Sequence, residues 1–299
     1  MLAIAVDLGG TQIRAAVVDD KGAIYSRVAR PTPAKAGPIA VVHEISEAVA
    51  ELIGGAPAQD YVGIGVASPG PIDTVRGVAF DLPTLKGFAN FPFRDNLSER
   101  LGRKVRIEND GIAAAMGEWR FGAGRGCDDF VYVTVSTGIG GGVVSGGQVM
   151  RGRMGMAGHV GHLVIQPDGV FCNCGNRGCW EAYAAGPAFE ARAKLAIGRT
   201  FAADAPSVFA AARSGDAVAL ALIDEEAALL GTGIISLLHL FSPDRIILGG
   251  GICHHFDLLK PGIEAKVQTL AMPPFRGVEI LRAVHFGNSG LLGAAALVL

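Results

Sequence analysis

The sequence carries no surplus of either charge: 26 Lys and Arg stand against 28 Asp and Glu, a formal net charge of −2. It has no basic stripe and no interleaving of basic with aromatic residues, so the electrostatic footprint of a nucleic-acid partner is missing. No proline-rich, serine-rich or charged stretch interrupts the 299 residues. Any division into domains is therefore expected at a hinge, near residues 112 to 120. Long apolar runs are absent too. The most apolar stretch, Ala227 to Phe241, is broken by Gly231, Gly233, Ser236 and His239 and falls short of a bilayer span, so it reads as a buried helix. The opening MLAIAVDLGG lacks a basic region and a cleavage site and reads as a first strand, not a leader. Cysteines are few, five in all, and three of them crowd between Cys172 and Cys179, a metal spacing more than a secreted disulfide framework. The expected compartment is the cytoplasm, with no membrane partner.

What is present fits a well-buried α/β protein. Half the residues are apolar and 43 are glycine. The length favours two domains, which leaves room for a cleft. The first thirty residues, LAIAVD, a glycine turn, QIRAAVVD, a second turn and AIYSRVA, predict a three-stranded antiparallel meander. Asp128 to Arg151 repeats the plan with DFVYVTV, STGIGGG, VVSG and a short strand QVMRG, an internal duplication. Helices are expected over Ile39 to Ile53, Gly111 to Phe121, Trp180 to Leu195, Ser207 to Ala212, Asp216 to Leu240, Leu259 to Leu270 and Ser289 to Leu297. Further strands are expected at YVGIGVA, KVRIEND, RIILGG and VEILRAV.

Three glycine clusters carry the first chemical signal. DLGGT, residues 7 to 11, suits a phosphate clasp with Mg²⁺ organised through Asp7, and equally a plain hairpin turn. STGIGGG, residues 136 to 142, holds more glycine than a turn needs, and the pair of hairpins favours nucleotide phosphate. Gly249 to Gly251 follow strand RIIL and open toward a helix, a usual nucleotide position in an α/β sheet. His162, Cys172, Cys174 and Cys179 form H-x9-C-x-C-x4-C, which predicts a closed tetrahedral site for structural zinc; reduced cysteines in a loop are the alternative. Asp110 follows Glu108 and Asn109 at a strand end and precedes a helix. There it can act as a general base or as a helix cap. His159, Glu181 and the SPGPID turn, Ser68 to Asp73, are further polar candidates.

Taken in order, DLGGT, GVASPGPID, END, VSTGIGGG, AGHVGH, CNCGNRGCWEAY and FSPDRIILGGG resemble the ROK-family sugar kinases of the actin and hexokinase-like superfamily, over essentially the whole chain. The resemblance implies two ribonuclease-H-like domains around a cleft, residues 1–115 with 287–299 and residues 116–286 with the zinc loop, and a homodimer. It implies transfer of the γ-phosphoryl group of ATP, with Mg²⁺, to a sugar hydroxyl. Asp110 matches the catalytic base. Gly70, Asn109, Asp110, His162 and Glu181 match sugar contacts, and His159 stands beside them. Asp7, Gly9, Gly10, Thr11 and Gln12, with Thr137, Gly138, Gly140, Gly141, Gly142, Gly249 and Gly250, match the nucleotide loops. His162 then has two duties, one nitrogen on zinc and the other toward the sugar.

Three residues depart from the common pattern. Gln12 stands where many members have Lys, and Thr84 where many have Asn. His159 replaces a Glu common in glucose-directed and many N-acetylglucosamine-directed members, and G-H-x-G-H is similar to bacterial N-acetylmannosamine kinases. The expected reaction is 6-phosphorylation of N-acetylmannosamine in sialic acid catabolism. A kinase for N-acetylglucosamine or glucose is the alternative. The family's repressors carry an additional N-terminal helix-turn-helix, for which a first strand starting at residue 2 leaves no room. Retention of Asp110 and all three glycine clusters argues against a non-catalytic sugar sensor.

Overall fold

Leu2–Leu8 forms the first strand, β1, in a computed structural model that describes residues 1–54 and 61–299. Residues 3 to 8 of β1 are all buried, as a near-continuous apolar run demands of a central strand. A turn at Gly9 to Thr11 reverses the chain into β2 (Gln12–Asp19), which pairs antiparallel with β1 and sets Asp7 opposite Arg14. β3 (Ile24–Pro31) completes the expected meander. Helix α1 (Pro38–Ile53) starts on a proline and ends where Gly54 turns left-handed at φ 51°. β4 (Tyr61–Ser68) runs parallel to β1. A small hairpin, β5 (Ile72–Asp73) and β6 (Val78–Ala79), comes next, then α2 (Phe93–Leu101). β7 (Val105–Asn109) runs parallel to β4 and leads directly into α3 (Asp110–Phe121). The sheet order is β3-β2-β1-β4-β7.

The second sheet repeats that order. β8 (Phe130–Val135) and β9 (Ile139–Ser145) pair antiparallel, and β10 (Gln148–Val149) lies outside β9. The third strand is shorter than QVMRG because the chain leaves the sheet after Val149: Arg151 pairs with buried Glu108 at 2.8 Å, and Thr74 donates to the carbonyl of Met154 at 3.0 Å. The helix expected from Trp180 to Leu195 is two, α4 (Glu181–Ala184) and α5 (Gly186–Leu195), divided at Ala185, which is extended at ψ 157° ahead of Pro187. α6 (Ala205–Arg213) and α7 (Ala217–Phe241) are capped by Asp204 and Asp216. β11 (Arg245–Gly249) runs parallel to β8. A 3₁₀ turn over Gly251–His255 leads into α8 (Phe256–Leu270), and β12 (Glu279–Arg282) closes the order β10-β9-β8-β11-β12. The same succession of antiparallel and parallel strands in both sheets is the expected duplication. Trp180, fully buried, seals this half: its ring fills the space of a side chain at Gly233, and its indole N–H reaches the carbonyl of Leu229 at 3.0 Å.

The last helix, α9 (Ser289–Ala296), returns to the first sheet. The chain thus divides into one unit of Met1–Gly126, Val149–Gly158 and Gly287–Leu299, and another of Cys127–Gln148 and His159–Phe286. In the first unit α1 and α2 pack with Ile4, Val6 and Val66, while α9 packs on Ala3, Ala5 and Ala113. That second contact brings backbones together. A side chain at Gly293 would meet the carbonyl of Ala113, and one at Gly65 that of Ala294. Among the described residues no helix is long and apolar enough to cross a membrane.

Candidate functional site

In the first unit the named residues collect at the carboxyl ends of the parallel strands β1, β4 and β7. Asp7 stands beside Ala67, and Ser68 beside Asn109, in the strand register. In open α/β sheets this edge is where ligands bind, because the following loops and helix starts present N–H groups there. The DLGGT turn is tight: the Gly9 N–H donates to the carbonyl of Gln12 at 2.9 Å, and the Thr32 hydroxyl to the carbonyl of Gly9 at 2.7 Å. A Cβ at Gly10 would lie 3.1 Å from that of Thr84, so two positions far apart in sequence abut. Gly70 enters a cis peptide with Pro71.

The competing duties of Asn109 and Asp110 are separated by the structure. Asn109 is the cap of α3, accepting from the N–H groups of Gly111 at 3.1 Å and Ile112 at 3.4 Å. Asp110 is the first helical residue and is exposed, with Oδ1 sharing the Gly111 N–H at 2.8 Å. Its pKa rises to about 6, chiefly because protein displaces bulk water around it and next because of the negative charge of Asp7. Asp7 is itself raised by burial, against the opposing pull of Arg14, with which it is ion-paired. Glu108 is buried and raised by that burial, although Arg151 pulls the other way.

In the second unit the turn between β8 and β9 and the end of β11 lie on adjacent parallel strands, with Gly249 opposite Thr134. Several glycines here are required by close approach of the protein's own atoms. A Cβ at Gly138 would lie 2.5 Å from Oε2 of Glu181, one at Gly141 2.4 Å from the carbonyl of Tyr132, and one at Gly249 2.3 Å from the Tyr132 hydroxyl. At Gly140, among the described residues, a Cβ would meet a Thr134 methyl at 3.5 Å, an ordinary contact.

The donor atoms of His162, Cys172, Cys174 and Cys179 lie within 4.8 Å of one another. Sγ of Cys174 is 3.6 Å from that of Cys179, and Sγ of Cys172 is 3.9 Å from Nδ1 of His162. A tetrahedral zinc with bonds of about 2.3 Å to sulfur sets sulfur–sulfur edges of about 3.8 Å, so the set fits that ion. Burial, with the neighbouring thiols adding, pushes the Cys179 thiol up to about 12, whereas the Asn176 backbone N–H lowers Cys174. A divalent cation held by the set would offset the repulsion of three thiolates. The rings of His159 and His162 stack with centroids 6.2 Å apart, and burial lowers the pKa of His159, which favours its neutral form.

The profile of the ROK family matches residues 3–299. The chain belongs to the ROK family. It is 39% identical to a glucokinase of Thermotoga maritima, covering 99% of this chain and 96% of that protein. It is 36% identical to an N-acetylmannosamine kinase of Shigella boydii, covering 99% and 98%. The structure is similar to a crystal structure of a ROK family glucokinase from Streptomyces griseus in complex with glucose and AMPPNP, with TM-score 0.86, 36% identity and coverage of 100% and 99%. The ROK-family fold is thus the actin and hexokinase-like α/β architecture expected from the motifs.

Sequence reasoning passed over Arg14, the partner of Asp7. Its signal was hairpin register: once the turn is known to join Leu8 to Ile13, Asp7 and Arg14 must face each other. Arg151, which holds Glu108, had no local signal, because 43 residues separate the two.

Proposed function

We propose that this ROK-family protein phosphorylates the 6-hydroxyl of N-acetylmannosamine with ATP. The kinase class follows from its relatives, named kinases at 36 to 39% identity along nearly their whole length. The observation that carries the chemistry is Asp110, a carboxylate at the carboxyl edge of the sheet that Asn109 relieves of capping duty. Asp110 takes the proton of the sugar hydroxyl as its oxygen attacks the γ-phosphorus, and ADP departs with the electron pair of the broken P–O bond. Asn109, Gly70, His159, His162 and Glu181 hold the sugar. Gly9, Gly10, Thr11 and Gln12 with Thr137, Gly138, Gly140, Gly141, Gly142, Gly249 and Gly250 receive the nucleotide. Asp7 is the residue that would organise a Mg²⁺ ion, through water, and that ion would supply charge neutralisation for the transferring phosphate. His162 with Cys172, Cys174 and Cys179 would hold a structural zinc that orients the His162 ring. The protein acts in the cytoplasm as a homodimer.

Preference for N-acetylmannosamine rests on His159. A neutral imidazole donates from one nitrogen and accepts at the other, whereas an ionised glutamate only accepts. The 2-substituent is axial in N-acetylmannosamine and equatorial in the gluco epimer, so the residue beside the ring meets it from a different direction. The 39% identity to a glucokinase supports glucose as a second reading. Initial rates with ATP and N-acetylmannosamine, N-acetylglucosamine or glucose separate the two.

A further inference from the structure

Glu181 has a second attachment besides the sugar role assigned to it above, and the inference drawn from it rests on that kinase reading. Its Oε2 accepts the backbone N–H of Ile139 at 2.8 Å, and its Oε1 lies 4.0 Å from Sγ of Cys172. Ile139 opens β9, directly after the Ser136 to Gly138 turn, and is 4% exposed, so water cannot replace the bond freely. Two backbone bonds also tie this turn: the Ser136 N–H donates to the carbonyl of Gly138 at 2.9 Å, and the Gly186 N–H to the carbonyl of Ser136 at 2.8 Å. Gly138 does not adopt a left-handed φ, and among the described residues, its chain neighbours aside, the three atoms nearest a Cβ built there all belong to Glu181. Its being glycine is therefore explained by the carboxylate seated against it.

We infer that Glu181 is a positioning residue for the nucleotide: its carboxylate clamps the β8–β9 phosphate turn to α4, so the shape of the ATP-binding turn depends on a side chain of the sugar and zinc loop. One carboxylate thereby ties the two substrate loops of this unit together. Glu181→Gln keeps an oxygen for the Ile139 N–H and loses the charge. Glu181→Ala loses both. Gly138→Ala leaves Glu181 in place chemically but drives its carboxylate off the turn.

The test is titration of each full-length variant with a fluorescent ATP analogue and Mg²⁺, without sugar, alongside KM values for ATP and for the sugar. Glu181→Ala and Gly138→Ala each weaken nucleotide binding by about tenfold, the size of one lost charge-assisted hydrogen bond. The double variant is no weaker than the worse single one, since both remove the same contact. Glu181→Gln keeps nucleotide affinity within about twofold while its KM for sugar rises, because an amide oxygen still accepts the N–H. Unchanged nucleotide affinity in Glu181→Ala and Gly138→Ala, or additive losses in the double variant, overturns the inference. Should Glu181→Ala fail to fold, judged by thermal unfolding and metal content, Glu181→Asp, whose carboxylate stops one methylene short of the Ile139 N–H, takes its place: about tenfold weaker nucleotide binding supports the clamp and wild-type affinity overturns it. A wild-type protein that binds no ATP analogue sinks the kinase reading instead.

Discussion

Asn109 and Asp110 stand side by side at the end of β7, and it is Asn109 that caps α3, through the N–H groups of Gly111 and Ile112. Replacing Asp110 thus spares the cap. Asp110→Asn is expected to lower kcat by about 10² to 10⁴-fold, the range of general-base catalysis, while nucleotide affinity and thermal stability stay near wild type. A variant that keeps more than about a tenth of wild-type kcat shows that Asp110 is not the base.

The pKa of Asp110, raised to about 6, fixes the direction of the pH dependence. A base works ionised, so kcat/KM is level above about pH 6 and falls toward tenfold per pH unit below it, as Asp110 takes up a proton. The limb is acidic because a carboxyl group loses its charge on that side. An acid limb centred near the ordinary carboxylate range would show that the displacement of bulk water around Asp110 and the charge of Asp7 do not act on the base as described.

The four donors within 4.8 Å predict one zinc per chain. Binding at closed sites of this kind is worth on the order of 10 kcal/mol, so Cys174→Ser is expected to lose the metal and much of the soluble yield. Elemental analysis of protein prepared without chelator checks this. Less than a tenth of an equivalent of zinc in the wild type contradicts it.

How much of this was legible in the sequence differs from residue to residue. The meanders could be read because short runs rich in Val, Ala and Ile stand between glycine turns. The cysteine cluster could be read because all but His162 fall within one short loop. α2 could not: in FRDNLSERL only Phe93 and Leu97 are buried, too few for a period to show. The capping question at Asp110 could not be settled either, since Asn and Asp serve equally well before a helix and the choice depends on where its first turn begins. The clamp of Glu181 on Ile139 joins residues 42 apart, across a loop whose course no local pattern encodes.

Glu226 is fully buried and ion-paired with Arg192, which also reaches the carbonyl of Tyr183 at the end of α4. Glu226→Leu leaves the part-exposed Arg192 guanidinium with Glu225 as its remaining ion-pair partner, and a stability loss of about 1.5 to 3 kcal/mol, the size of a hydrogen bond to a charged group, is expected in urea unfolding. Removing both charges, with Arg192→Met added, recovers most of it. A single variant as stable as wild type shows that the pair contributes nothing.

His159 is expected to set the sugar preference. His159→Glu should narrow or reverse the ratio of kcat/KM between N-acetylmannosamine and glucose, because an imidazole donor is exchanged for a carboxylate that accepts only. An unchanged ratio shows that His159 merely packs beside His162, whose ring it stacks on.

The most direct test gives wild-type protein ATP, Mg²⁺ and each of N-acetylmannosamine, N-acetylglucosamine and glucose, follows ADP release, and locates the phosphate on the product by NMR. A 6-phosphate is expected, with kcat/KM for N-acetylmannosamine about tenfold or more above the other two, the discrimination that an unpaired buried polar group imposes on the wrong sugar. Equal or faster turnover of glucose would contradict the specificity, and no sugar-dependent ADP release with any of the three would contradict the kinase assignment itself.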